Sequence, residues 1–219
     1  MIAKQITPVT AFVDWNSQIH AAKPPRGTQE MGIASKTLTY VGKVIGRALY
    51  DTAPAERFNV ELRIYHGWYK GFEATPRRKA LVQTIAGLDF LSLSAKPNVS
   101  IRERVEFGDN LFSALEIRRH DRLRCHLPNT LRNSVKKTKD GDAKETEEKM
   151  VDTAIASDVV DLAYKEPKRW LLVIGDDDDL VPPTFVAEGV RRVGDGKIIL
   201  IRTREDTPFL NLANLRYKP

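Results

Sequence analysis

The chain has 219 residues, of which 35 are Lys or Arg and 29 are Asp or Glu, giving a formal net charge of +6 at pH 7. Apolar residues make up 42% of the sequence and charged residues 29%, as in globular domains, so a mainly disordered chain is excluded. With 13 Gly and 12 Pro, a collagen-like or low-complexity chain is excluded as well. The length favours a single domain, and the positive charge permits, without requiring, a polyanionic partner.

The single cysteine, Cys125, excludes an intrachain disulfide and suits a reducing compartment. Two interpretations of it stay open, a catalytic nucleophile and a small buried hydrophobe. The four histidines lack the Cys/His spacing that is typical of zinc sites. Residues 1–10 do not contain the apolar run of a signal peptide, and no apolar run is long enough to span a bilayer. We therefore expect a cytoplasmic protein with no membrane partner.

Strand and helix patterns alternate along the first half of the chain. The apolar run V-T-A-F-V-D ends in a carboxylate and predicts a buried strand. Apolar residues three or four positions apart then predict a helix, and an alternating pattern that begins at Phe58 predicts a second strand. The predicted elements are, in order, strand 9–14, helix 29–50, strand 58–65, helix 76–85, strand 99–107 and strand 123–127.

The second half begins with a segment that has almost nothing to bury. Residues 130–148 are rich in Lys, Asp, Glu, Thr and Ser, which predicts a mobile loop. A helix at 151–164, a strand at 170–174, a helix at 183–193 and a strand at 197–202 follow. This alternation predicts one α/β domain around a mostly parallel sheet, in which ligands bind at the carboxyl ends of the strands.

Four consecutive aspartates, Asp176–Asp179, follow the strand at 170–174. Two structural explanations are that their charges spread into water, or that one of them caps the next helix; capping explains one aspartate but not four. The functional explanation is a site for Mg²⁺ or Mn²⁺, which prefer carboxylate oxygens, and it predicts further carboxylates from elsewhere in the fold. Asp14, at the end of the first strand, and Asp152, at the start of a helix, are candidates. We expect Asp158 to be peripheral to the metal site.

Three motifs occur in order along the chain: A-F-V-D-W-N, E-K-M-V-D-T-A-I-A-S-D and L-L-V-I-G-D-D-D-D-L-V-P. Together they resemble the NYN domain family, whose bacterial members are often called LabA-like and which belongs to the PIN-like nuclease superfamily. The family pattern is a strand ending in Asp near an Asn, then K-G-V-D at a helix start, then S-G-D-S-D-F-V-P. The resemblance covers most of the chain. It implies a three-layer α/β/α, PIN-like (Rossmann-like) sandwich and the metal-dependent cleavage of RNA.

By position in these motifs, the resemblance also implies site residues. The implied metal-binding and catalytic residues are Asp14, Asp152, Asp177 and Asp179, with Asn16 as a further catalytic residue. Aligning the last motif on Gly175 instead of on L-V-P would replace its two acids by Asp176 and Asp178. The family Asn lies three residues after the first Asp, where this chain has Ser17, so the orienting residue is either Asn16 or Ser17.

Two basic stretches are candidates for binding the phosphate backbone of RNA. Residues 118–139 contain eight basic residues and one acidic residue, and residues 65–79 interleave aromatic residues with cations. Aromatic rings that stack on bases, beside cations that bind phosphates, suit single-stranded or structured RNA. The alternative is core packing of the rings and a solvated charged face. The predicted nucleic-acid-binding residues are Arg118, Arg119, Arg122, Arg124, Lys136, Lys137, Lys70, Arg77 and Arg78.

The predicted chemistry is hydrolysis of a phosphodiester by a water activated on one or two Mg²⁺ or Mn²⁺ ions. A phosphohydrolase with an aspartate nucleophile is less suitable, because it usually needs a second acid two residues on, where this chain has Asn16. A non-catalytic nucleic-acid-binding or regulatory module on the same fold stays open. So do a homodimer, which PIN-like relatives often form, and a partner protein that restrains the activity.

Overall fold

The computed structural model describes residues 6–70, 72–112, 132–137, 144–191, 195–205, 212 and 215–219. The side chains of 132–137, 144–149 and 191 are outside this description, as is the predicted strand at 123–127. Within the described residues, no helix is long and apolar enough to cross a bilayer.

Strands and helices both occur along the whole described chain, with a short 3₁₀ turn (Asp178–Leu180) ahead of the last helix. The strands are β1 (Ile6–Asp14), β2 (Arg57–Tyr65), β3 (Tyr69–Lys70), β4 (Glu73–Ala74), β5 (Val99–Phe107), β6 (Arg132–Lys137), β7 (Lys144–Lys149), β8 (Trp170–Ile174), β9 (Ile198–Ile201) and β10 (Arg216–Tyr217). The helices are α1 (Trp15–Ala22), α2 (Glu30–Thr52), α3 (Pro76–Ala86), α4 (Phe90–Leu93), α5 (Val151–Lys165) and α6 (Val181–Arg191).

Six strands form the central sheet in the order β10-β9-β8-β1-β2-β5, and their pairings are parallel. Helix α2 packs against α1, α3 and α4, while α5 packs against α6, so the sheet lies between two helical layers. The predicted three-layer α/β/α sandwich with a parallel sheet is confirmed. The predicted elements outside 123–148 are also found in the described chain, with bounds that differ by at most about three residues, whereas α1, α4, β3, β4 and β10 were not predicted.

Strand β8 is apolar throughout because both of its faces are covered. All residues of β8 are buried, and so are the last six residues of β1. The large rings of Phe58 and Trp170, on β2 and β8, pack with their centroids 5.0 Å apart. Burial on both faces explains why the strand at 170–174 reads as a continuous apolar run rather than as an alternating one.

The predicted mobile loop at 130–148 includes most of two antiparallel strands, β6 at 132–137 and β7 at 144–149. These strands complete a second, small sheet in the order β4-β3-β6-β7. Six residue pairs join β6 to β7, and such a ladder satisfies backbone donors and acceptors whether or not the side chains are apolar. A prediction from apolar patterning alone therefore misses it. Residues 138–143 are outside the described part of the chain.

A buried ion pair connects α5 to the central sheet. The side chains of Arg63 and Asp158 are 3% and 1% exposed, and their Nη2 and Oδ2 atoms are 2.9 Å apart. Asp158 also accepts hydrogen bonds from the Tyr65 hydroxyl at 2.7 Å and from the Phe112 amide at 2.8 Å. Burial raises the pKa of Asp158 above its ordinary value, and the Arg63 guanidinium opposes this rise. Asp158 is thus a structural residue of the interior.

We predict that Asp158→Ala lowers the free energy of unfolding by about 3–5 kcal/mol, because it leaves the Arg63 charge buried without its main partner. Asp161→Ala is the matched control. Asp161 lies one turn further along α5, and its Oδ2 atom is 2.7 Å from Lys165 Nζ in a partly exposed ion pair. That pair should contribute only about 0.5 kcal/mol. Urea unfolding of both variants measures the difference, and equal losses would contradict the structural role of Asp158.

Candidate functional site

Asp14 lies at the carboxyl end of β1, in the middle of the sheet. Val13 pairs with Ile174 of β8, so Asp14 and Gly175 are the next residues on neighbouring strands. A Cβ atom at position 175 would lie 3.2 Å from Asp14 Cβ and 2.6 Å from Leu180 Cδ1. Glycine at this position therefore lets the two chain segments approach closely, and it brings the start of the aspartate run beside Asp14.

The Asp14 side chain also begins α1. Its Oδ1 atom accepts hydrogen bonds from the Asn16 amide at 3.1 Å and from the Ser17 amide at 3.4 Å, as an N-cap does. The Ser17 hydroxyl donates to the Asp14 carbonyl at 3.1 Å. These contacts fix the direction of a carboxylate that is only 7% exposed. An Asp followed by W-N-S-Q is a usable capping signal for α1, although Asp14 was predicted only as a metal-binding and catalytic residue.

Asp176 and Asp178 are held by the residues that follow β9. The Asp176 carboxylate accepts hydrogen bonds from the Thr203 amide at 2.6 Å, from the Thr203 hydroxyl and from the Arg204 amide at 3.3 Å. Asp178 pairs with Arg202 at 2.7 Å and with Arg204 at 3.1 Å. The hydrogen bond from Arg202, together with the charges of both arginines, holds the pKa of Asp178 below its ordinary value.

Asp177 and Asp179, the other two acids of the run, are exposed. Asp177 Oδ1 accepts a hydrogen bond from the Asp179 amide at 2.9 Å and caps the 3₁₀ turn. Within the described part of the chain, neither carboxylate forms an ion pair. The run therefore divides into two acids that are bound by the loop after β9 and two that present carboxylates to solvent.

A cleft of about 340 Å³ opens at this edge of the sheet, and Asp14 is part of its wall. The residues that line the cleft are Asp14, Asn16, Ser17, His20, Asp176, Asp177 and Arg204. Three predicted site residues, Asp14, Asn16 and Asp177, thus share one space. The cleft does not distinguish Asn16 from Ser17, since both line it.

Two predicted ligands, Asp152 and Asp179, do not line this cleft. Asp152 is half-buried in the first turn of α5. Among the residues that the structure describes, no three Asp, Glu, His or Cys side chains are placed to hold one metal ion together. Conversely, His20 and Arg204 line the cleft and were not predicted, because only the folded chain brings the end of α1 and the loop after β9 to Asp14.

The predicted nucleic-acid-binding residues have different environments. Arg118, Arg119, Arg122 and Arg124 are outside the described residues, and of Lys136 and Lys137 only the backbone, in β6, is described. Lys70 is exposed on β3, and Arg77 is half-exposed with its Nε atom 3.5 Å from Glu30 Oε2.

Arg78, a predicted phosphate-binding residue, has acidic and aromatic partners within the protein. Its guanidinium is 2.6 Å from Asp109 and lies over the rings of Tyr69 and Phe107, with distances of 4.8 and 4.6 Å from Cζ to the centroids. The Arg78 guanidinium therefore forms a partly buried ion pair and two cation–π contacts within the protein. Its position next to other cations in the sequence gave no sign of this folded environment.

Most aromatic residues of the 65–79 stretch belong to the interior. Tyr65 and Trp68 are fully buried, as the core-packing alternative predicted, whereas Phe72 is 89% exposed. Phe72 lies at the turn between β3 and β4, which follow the carboxyl end of β2. Because Tyr65 pairs with Asp14 in the central sheet, this hairpin starts from the same edge as the cleft.

Comparisons of the chain with protein-family models, with curated proteins and with solved structures find no match. Function has to be inferred from the chain's own residues and their geometry.

We predict that the acids of the run differ in their contribution to stability. Asp176→Ala removes the acceptor of three hydrogen bonds from Thr203 and Arg204, so it should lower the free energy of unfolding by about 1–2 kcal/mol. Asp179→Ala should change it by less than about 0.5 kcal/mol, as surface substitutions usually do. Chemical denaturation compares the two variants. Equal or larger destabilisation by Asp179→Ala would show that the run is not divided in this way.

Proposed function

We propose that the chain is a metal-dependent ribonuclease, an NYN-type member of the PIN-like nucleases, that hydrolyses phosphodiester bonds in RNA. The observation that supports this most is the shared cleft of Asp14, Asn16 and Asp177 at the carboxyl edge of a parallel sheet. In open α/β sheets this edge is where ligands bind. The sequence motifs that resemble the family contribute these same residues.

The donor set of the cleft is suited to Mg²⁺ or Mn²⁺. These ions take oxygen ligands, and Mg²⁺ commonly uses one or two carboxylates and completes its shell with water and substrate phosphate. Asp14 and Asp177 would hold the ion, with the Asn16 side chain beside them. Asp152 and Asp179, which begin α5 and belong to the 3₁₀ turn, are proposed as further ligands from neighbouring elements. When bound, such an ion lowers the pKa of a coordinated water and stabilises the leaving oxygen.

The chain's own contribution is to hold the carboxylates in place before substrate arrives. The capping bonds to Asn16 and Ser17 fix the Asp14 carboxylate, and the capping bond to the Asp179 amide fixes that of Asp177. Rigid ligands of this kind need no rearrangement during the reaction. No side chain of the cleft needs to act as the nucleophile. We propose that the enzyme works in the cytoplasm, where its single cysteine stays reduced.

The second candidate function is a non-catalytic RNA-binding or regulatory module on the same fold. It is favoured by one observation: no three potential ligands in the described residues are placed around a single ion. The two functions make different predictions for metal. A nuclease needs Mn²⁺ or Mg²⁺ to cut, whereas a binding module holds RNA equally well in EDTA and leaves it intact.

We predict that Asp14→Asn and Asp177→Asn abolish cleavage without unfolding the protein. Asparagine at either position can keep the capping hydrogen bonds because it retains a side-chain oxygen. It removes the negative charge that a metal ion requires. The measurement uses labelled RNA and DNA, single- and double-stranded, with Mn²⁺, Mg²⁺ or EDTA. It tests activity, substrate class and metal dependence together.

Asp195→Asn is the matched control for these variants. Asp195 is exposed and precedes β9, at the opposite end of the strands from the cleft, so this variant should cut RNA like the original chain. Full activity of Asp14→Asn and Asp177→Asn would rule out the proposed site. An original chain that binds RNA and leaves it intact with either metal would favour the second candidate function.

Exposed Phe72 leads to a prediction about RNA binding. We expect Phe72→Ala to weaken the binding of single-stranded RNA in EDTA by about 1–3 kcal/mol, the usual effect of losing one base-stacking ring. Leu91→Ala is the control, since Leu91 is 84% exposed in α4, next to the amino end of β5. Fluorescence anisotropy measures both affinities. If the two variants bind alike, Phe72 does not stack on a base.

A further inference from the structure

Arg204 combines a fixed backbone, an exposed guanidinium and a place in the wall of the cleft. We infer that Arg204 binds the non-bridging oxygens of the RNA phosphate that enters the cleft, and so is a substrate-binding residue. This inference rests on the proposed ribonuclease function and names a contact that the motifs do not provide.

The loop after β9 is anchored to the aspartate run by its backbone. The amides of Thr203 and Arg204 both donate to Asp176 Oδ1, at 2.6 and 3.3 Å. The Arg202 side chain donates to the Asp176 carbonyl at 3.3 Å. Residue 204 is thus fixed at the edge of the cleft by contacts that do not involve its own side chain. Replacing that side chain should leave the loop in place.

The charge around Asp178 is shared between two arginines of very different exposure. The Arg202 side chain is 1% exposed and its Nη2 atom is 2.7 Å from Asp178 Oδ1, while Arg204 is 53% exposed and its Nη1 atom is 3.1 Å from Asp178 Oδ2. One carboxylate therefore faces two guanidiniums and neutralises neither completely. Arg202 is sealed inside the protein, so Arg204 is the arginine of this pair that an incoming anion can reach.

The lining of the cleft suits a phosphodiester held between opposite charges. Asp14 and Asp177 are acidic and would repel a phosphate unless cations offset them. The guanidinium of Arg204 has five N–H donors in a planar fork, which matches two phosphate oxygens, and its Nη1 atom is the one that lies 3.1 Å from Asp178 Oδ2. A lysine would supply the charge without the fork. Arg204 thus attracts and orients the phosphate, which Asp14 and Asp177 would bind from the other side through a metal ion.

The test compares Arg204→Gln and Arg204→Lys with Arg104→Gln. Arg104, on β5, is a matched control because its side chain is 86% exposed and is 3.4 Å from one acid, Glu106. Binding of a short single-stranded RNA is measured in EDTA at several salt concentrations, and cleavage is measured in Mn²⁺. Circular dichroism and thermal unfolding check that each variant is folded.

We expect Arg204→Gln to weaken RNA binding by about tenfold, as the loss of a charge-assisted contact of about 1.4 kcal/mol would. The salt dependence should fall by about one phosphate contact. In cleavage, KM should rise more than kcat falls, and Arg204→Lys should recover part of the binding. Arg104→Gln should stay within about twofold of the original chain.

The inference is overturned if Arg204→Gln and Arg104→Gln have the same affinity, salt dependence and KM while the original chain cuts RNA. In that outcome the proposed ribonuclease function stands. If the original chain cuts no RNA with either metal, the ribonuclease function fails, and the Arg204 inference fails with it as a contact to a scissile phosphate. Cleavage by the original chain therefore tests the ribonuclease function, and RNA binding in EDTA by the Arg204 variants tests the role of Arg204.

Discussion

The proposed site depends on one constraint, the parallel register of β1 between β2 and β8. Because Val13 pairs with Ile174, the chain leaves both strands at the same level, and Asp14 comes to lie against Gly175. A side chain at position 175 would separate them. From this contact the rest follows: Asp14 caps α1, the aspartate run starts beside it, and both contribute to the same cleft.

Four adjacent carboxylates are tolerated here because two of them, Asp176 and Asp178, have partners in the loop after β9, while the other two face solvent. Two unit charges about 4 Å apart repel by about 4 kcal/mol at an effective dielectric constant near 20. The loop after β9 offsets this repulsion by supplying backbone amides to Asp176 and the arginines Arg202 and Arg204 to Asp178. Asp177 and Asp179 are left exposed, and they are the two acids of the run that the proposed metal site uses.

The parallel sheet and the long helices can be predicted from the sequence, because burial on one or two faces leaves periodic or continuous apolar runs. Motif position predicts that Asp14 and an acid of the run lie close together, and the cleft is lined by both Asp176 and Asp177, one from each register of the motif. Other features arise only from contacts between distant segments. The burial of Arg63 with Asp158, the pairing of Arg78 with Asp109 and the approach of Arg204 to the cleft leave no local pattern. The β6–β7 pairing depends on backbone hydrogen bonds, which the pattern of apolar residues does not predict.

The claim that Asp14 and Asp177 hold a divalent cation is tested most directly by crystals soaked in Mn²⁺, using the anomalous scattering of manganese. We expect an anomalous peak in the cleft, within coordination distance of carboxylate oxygens of both residues, and no peak there in Asp14→Asn crystals. Wild-type crystals with no manganese in the cleft, or with manganese bound only by other acids, would contradict the account.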